Sequence, residues 1–151
     1  MQIDIPGRGP ITLDYVVFDF NGTLALDGQV SLQTEELLKN LASRYSTLIA
    51  TADTFGTVAH FAQRLRIPVE IVKTGKDKED LVQQLTGGVV AVGNGANDEP
   101  MFLAADLAIG VMGPEGASVQ ALLAADIWVP TIERGLELLI HPDRLIATLR
   151  E

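Results

Sequence analysis

Residues 88–98 read GVVAVGNGAND: a wholly apolar run, Gly88 to Val92, breaks abruptly into glycines, amides and a carboxylate. A strand without polar alternation is buried on both faces, as in a parallel sheet covered by helices. Outward from it, apolar runs alternate with helical patterns. Ile11 to Phe18 (ITLDYVVF) predicts a strand, rich in β-branched and aromatic residues. Leu32 to Arg44 predicts a helix with Ser31 as N-cap and Leu37, Leu38 and Leu41 on one face. Ser46 to Ala50 and Pro68 to Val72 predict strands, with Phe55, Val58, Ala59, Ala62 and Leu65 at helical spacing between them. Leu81, Val82 and Leu85 mark a helix before the Gly88 strand. Beyond it come helices near Glu99 to Ala104 and Ala117 to Ala124, strands at Leu107 to Val111 and Ile127 to Val129, and two C-terminal helices broken at His141-Pro142. Strand then helix, repeated about five times, predicts a three-layer α/β/α, Rossmann-like fold on a mainly parallel sheet. Gln2 to Leu13 differs, and predicts a β-hairpin turned by Pro6-Gly7-Arg8-Gly9-Pro10.

The 151 residues fit one domain, 1–151, with a sizeable core. There is no Cys, which excludes disulfides, thiolate zinc sites and cysteine nucleophiles. With only His60 and His141, a histidine metal cluster is not expected. The net charge of −9 argues against a nucleic-acid partner. No apolar stretch reaches the length of a membrane span, and the N-terminus lacks the basic start and apolar run of a secretion signal. The expectation is a cytoplasmic protein with no membrane partner; exposed Leu and Ala make a homo-oligomer plausible.

In doubly wound sheets the site lies beyond the carboxyl ends of the strands. Here those ends carry Asp19-Phe20-Asn21-Gly22-Thr23-Leu24, Thr51-Ala52-Asp53 and Gly93-Asn94-Gly95-Ala96-Asn97-Asp98, with Lys76-Asp77-Lys78 ahead of the Gly88 strand. A carboxylate can attack a phosphoryl group. The repulsion between two anions must then be neutralised, and Mg2+ does this through one or two carboxylates, waters and substrate oxygens. A hydroxyl and a lysine can hold the remaining phosphoryl oxygens, and Gly22 lets backbone amides turn toward the phosphate.

DFNGTL, Thr51, Lys78 and GNGANDEPM resemble the four motifs of the haloacid dehalogenase-like (HAD) hydrolases. The fourth is most similar to the GDGxNDxPxL signature of P-type ATPase phosphorylation domains, whose TGD motif is matched by Thr51-Ala52-Asp53. The later GPEGAS and AADIWV segments resemble small soluble P-type-ATPase-like proteins. The resemblance implies an Mg2+-dependent phosphatase acting on a phosphorylated substrate. Asp19 would be the nucleophile that forms an aspartyl-phosphate. Phe20, Asn21, Gly22, Thr51, Ala52 and Lys78 would line the phosphate. Mg2+ would be held by Asp19, the Asn21 carbonyl and Asp98, with Asn94 as a weaker or water-mediated partner.

The chain departs from that pattern twice. Most phosphatases of the family have an acid/base Asp where Asn21 stands, and Asn cannot exchange a proton at ordinary pH. P-type ATPases have Thr there, and their aspartyl-phosphate is longer-lived, so slow hydrolysis is expected. The family's usual Asp is also replaced by Asn94. Both exchanges keep shape and remove charge. Leu24 to Ser31 is long enough only for a small flap, so no cap domain and an open site are expected; with no nucleotide-binding domain, ion pumping is not.

Blander readings stand beside these. Asp53 is as readily an N-cap as a ligand, Asn97 is evenly balanced between cap and site, and Glu99 reads as exposed. Lys76 competes with Lys78, which the lysine-led helix pattern favours. His60 reads as surface and Trp128 as core. Two rival functions stay open: a catalytically impaired binding protein, and a switch with a stable aspartyl-phosphate.

Overall fold

The computed structural model describes residues 1–52 and 56–151. In chain order the elements are β1 (Gln2–Ile5), β2 (Gly9–Thr12), β3 (Tyr15–Phe18), α1 (Leu32–Ala42), β4 (Ser46–Thr51), α2 (Gly56–Leu65), β5 (Val69–Ile71), α3 (Gly75–Gln84), β6 (Val89–Gly93), α4 (Glu99–Ala104), β7 (Leu107–Val111), α5 (Val119–Ala124), β8 (Ile127–Val129), α6 (Ile132–Ile140) and α7 (Pro142–Leu149). Among the described residues, β1 and β2 pair antiparallel, and the other six strands form one sheet in the order β5-β4-β3-β6-β7-β8. Every neighbouring pair in that sheet is parallel.

Alternate residues of the central strands feed opposite layers, as the period-2 geometry of a strand requires. Val16, Phe18, Val90, Val92 and Ile109 join one core with Leu38 and Leu41 of α1, Leu136 and Leu139 of α6 and Leu145 of α7. Val17, Ala91 and Ala108 join the other with Val82 of α3, Met101 and Phe102 of α4 and Ala121 of α5. The two layers explain why β6 is buried at every position. Ser31 caps α1, its hydroxyl accepting from the Thr34 N–H.

The strand expected over Ile11 to Phe18 is two strands. Leu13 and Asp14 interrupt it, because the Leu13 N–H donates to the Met1 carbonyl (2.7 Å) and the Asp14 carboxylate accepts from the Gly88 N–H (3.0 Å). The first half is thereby assigned to the hairpin and the second to the main sheet. Trp128 is not core but 58% exposed. β8 is an edge strand that buries Ile127 and Val129 and turns the residue between them outward.

The chain winds from β3 outward to β5, then returns to β6 on the other side of β3. The carboxyl ends of β3 and β6 therefore flank the point where strand order reverses, the usual place for a ligand in this architecture. The connection from β3 to α1 contains only a small flap. It is closed by bridges between Asn21 and Ala25 and between Leu26 and Gln29, around Asp27 (φ 51°) and Gly28 (φ 79°). An Asp-Gly pair with positive φ at both positions suits a tight hairpin turn.

Gly88 lies so close to the hairpin that a β-carbon there would overlap the Thr12 carbonyl. Gly88→Ala is expected to destabilise the protein by about 1–3 kcal/mol through overpacking, read as a lower urea midpoint; an unchanged midpoint would show that the hairpin does not dock there.

Candidate active site

β3 delivers Asp19 to the carboxyl edge, its N–H bonded to the Val92 carbonyl of the neighbouring β6 (2.9 Å). Phe20 turns inward and packs on Phe61 of α2, ring centroids 5.7 Å apart. The next residues coil tightly: the Gly22 N–H donates to the Ala25 carbonyl, and the Thr23 and Ala25 N–H groups to the Phe20 carbonyl. Gly22 takes φ +80°, a conformation that favours glycine.

α3 delivers Lys78. It starts with a capping box in which the Thr74 hydroxyl accepts from the Asp77 N–H and the Asp77 carboxylate accepts from the backbone N–H of Thr74. Gly75 meets α4 so closely that a β-carbon would touch the Asn97 carbonyl and Pro100. Lys78 is 2% exposed, and its ammonium donates to Asp19 Oδ1 at 2.9 Å and to Asp98 Oδ1 at 2.6 Å. Lys76, two residues earlier, points to solvent and pairs with Glu79 and Asp80.

Asp98 is fully buried. Its second oxygen accepts the Asn94 and Gly95 N–H groups, both at 2.9 Å. Both of its oxygens thus accept from protein donors, and the carboxylate ties the loop after β6 to Lys78. The Thr23 hydroxyl lies 3.1 Å from Asp19 Oδ2 and 3.1 Å from Asn94 Oδ1, so its one hydrogen serves either acceptor. Asn94 Nδ2 donates to the Gly116 carbonyl (3.1 Å).

Of the other residues singled out, Thr51 is buried at the end of β4, while Asn21, Ala52 and Asn97 are exposed and Glu99 is half-buried. Asp53 and Phe55 lie outside the described residues. His60 is exposed, and lines a groove of about 590 Å³ with Thr57 and Arg64 whose walls include none of Asp19, Lys78 or Asp98.

Burial, then repulsion from Asp98, outweighs the help of Lys78 and Thr23 and pushes the Asp19 carboxyl up to about 6. Burial works against the Lys78 ammonium as well, but Asp19 and Asp98 more than offset it and hold its pKa above the usual lysine value.

The side chains gathered around Asp19 carry oxygens and nitrogens and no sulfur, a set that suits Mg2+ rather than a thiophilic metal. Among the described residues no group of three or more His, Cys, Asp or Glu side chains could hold a metal ion by itself. A cation here would keep waters and substrate oxygens around it, as Mg2+ ordinarily does. The fit is thus to a loosely held, hard divalent cation.

The fold is that of the HAD hydrolases. The chain belongs to the family of the uncharacterized protein MJ0073 of Methanocaldococcus jannaschii, with which it is 39% identical over 88 residues, 58% of this chain and 85% of that protein. No family model matches. Among solved structures it is similar to 3-deoxy-D-manno-octulosonate 8-phosphate phosphatase from Moraxella catarrhalis, in complex with magnesium, phosphate and KDO. That likeness has a TM-score of 0.73 at 20% identity, over 91% of this chain and 94% of that one. The cobalt-bound form of the Haemophilus influenzae phosphatase of that kind gives 0.72 at 17% identity, over 85% and 88%. A zinc-transporting PIB-type ATPase in its E2.Pi state gives 0.67 at 25% identity, over 79% of this chain but 20% of the ATPase.

A carboxyl whose pKa rises on folding destabilises the native state as pH climbs from its ordinary value, 3.8, through its folded value near 6. Asp19→Asn removes that penalty. Its melting temperature should exceed wild type at pH 7.5, by the equivalent of about 1–3 kcal/mol, and converge on it near pH 4. A gain that is independent of pH would contradict the raised carboxyl.

Proposed function

We propose that this protein is a divalent-metal-dependent phosphohydrolase working through an aspartyl-phosphate on Asp19. The observation that carries the reading is the buried Lys78 ammonium shared by Asp19 and Asp98 at the strand-order switch. A lysine held at the nucleophile's own carboxylate is placed to bind an anionic group as that carboxylate attacks it.

In the reaction, an Asp19 oxygen forms a bond to phosphorus and the bond from phosphorus to the leaving oxygen breaks. The departing oxygen takes a proton from solvent, because Asn21 has none to give. Water then attacks the aspartyl-phosphate, its proton passes to solvent, and orthophosphate leaves with the Asp19 carboxylate restored. Lys78 and Thr51 hold the phosphoryl oxygens, and the backbone amides of Phe20 and Asn21 approach the phosphoryl group, the Gly22 N–H being taken by the Ala25 carbonyl. Asp19, the Asn21 carbonyl and Asn94 would hold Mg2+, which would supply charge neutralisation. Asp98 keeps Lys78 and the loop after β6 in place. Without a general base at position 21, the second step is the slow one.

The test needs no natural substrate. Thermal unfolding with Mg2+ and beryllium fluoride, a phosphoryl mimic on Asp, should show a rise in melting temperature for wild type. Asp19→Ala should show none. No rise in wild type over a wide Mg2+ range would overturn the reading in favour of a binding role. With p-nitrophenyl phosphate as substrate, Asn21→Asp should raise steady-state turnover about tenfold or more; unchanged turnover would sink the acid/base account.

A further inference from the structure

The loop after β7 folds back over the loops that follow β3 and β6, and Asn94 pins it at two points. Its side-chain amide donates to the Gly116 carbonyl (3.1 Å), and its backbone carbonyl accepts the Ser118 N–H (2.8 Å). Glu115 sits just ahead of these pins. Its carboxylate lies against the α-carbon of Gly22, beside the Asn94 amide: a side chain at position 22 would meet Glu115 Oε2 first and Asn94 next. Glu115 is exposed, and among the described residues no Lys, Arg, His or N-terminus pairs with it. An anion thus stands unpaired at the turn where the proposed reaction needs a cation.

We infer that Glu115 is a working carboxylate of the divalent-cation site, standing in for the acidic group that position 94 lacks. The inference rests on the phosphohydrolase reading above. Asp98 is committed to Lys78 and to backbone amides, so Asp19 alone would leave the cation one carboxylate; Glu115 makes two, within the number Mg2+ ordinarily takes. The amide at position 94 belongs to the same arrangement. An aspartate there has no N–H for the Gly116 carbonyl and would set a second anion beside Glu115. Asn94 therefore gives up a charge of its own and holds the loop that brings one in.

The test measures cation binding directly, without turnover. Mn2+ is titrated into the protein and free Mn2+ is followed by its electron paramagnetic resonance signal. The proteins are wild type, Glu115→Gln, Asp19→Asn and, as a charge-matched control, Asp143→Asn on α7, which packs against β1 away from the site. Glu115→Gln should weaken Mn2+ about tenfold and keep the wild-type melting temperature in metal-free buffer. Asp19→Asn should also weaken binding, and Asp143→Asn should leave it unchanged. If Asp19→Asn weakens binding while Glu115→Gln does not, the inference is overturned and the underlying site reading stands. If wild type binds no Mn2+, or binds it regardless of Asp19, both are overturned.

Discussion

A lysine ammonium held out of water by two carboxylates is the contact on which the site depends. Burying a cation is costly unless it is paired and its donors are used. Lys78 meets that condition because three elements converge on it: α3 supplies the ammonium, the end of β3 supplies Asp19, and the loop after β6 supplies Asp98. Each partner is constrained in turn. Asp98 can serve Lys78 only because the Asn94 and Gly95 amides occupy its other oxygen. α3 reaches in because Gly75 lets it lie against the 3-10 turn Ala96–Asp98 and Pro100. Removing Lys78 would leave two buried carboxylates facing each other, so the residue proposed to bind phosphate is also the one that compensates them.

That balance gives a physical reason for Asn94. Asp19 and Asp98 already exceed the single Lys78 by one charge, and Asp19 responds with a carboxyl pushed up to about 6. Aspartate at 94 would set a further carboxylate against the Thr23 hydroxyl that already serves Asp19. Asn94 retains the bulk of the acid while its amide hydrogens find a carbonyl, that of Gly116. An amide at position 94 is thus consistent with the electrostatics of the folded site.

Much of this was legible from sequence, because the architecture follows local rules. The apolar run of β6, the Ser31 cap, the His141-Pro142 break and the N-terminal hairpin are each decided within a few residues. What the sequence obscured depends on distant contacts. The split between β2 and β3 arises from bonds to Met1 and Gly88, and the exposure of Trp128 from the position of β8 at the sheet edge. The pattern brought Asp98 forward as a metal carboxylate. Its engagement by Lys78 and two amides is a tertiary fact that no spacing reveals. The role proposed for Glu115 has no local signal, because a Gly-Pro-Glu-Gly loop has no periodicity. The available signal was topological, since it follows β7 at the same carboxyl edge as Asp19 and Asn94.

The same geometry bears on how long a phosphorylated Asp19 would last. Enzymes often protect reactive intermediates by closing a lid and excluding water. Here the connection from β3 to α1 offers only the short Asn21–Gln29 flap, and Asn21 is exposed. Among the described residues no cap domain stands between β3 and α1. In the proposed reaction the lifetime is set instead by what the site lacks at position 21, a group able to take a proton from the attacking water. In that reading a long-lived phosphoenzyme needs no lid. The distinction between a slow phosphatase and a switch reduces to one proton-transfer group rather than to the architecture.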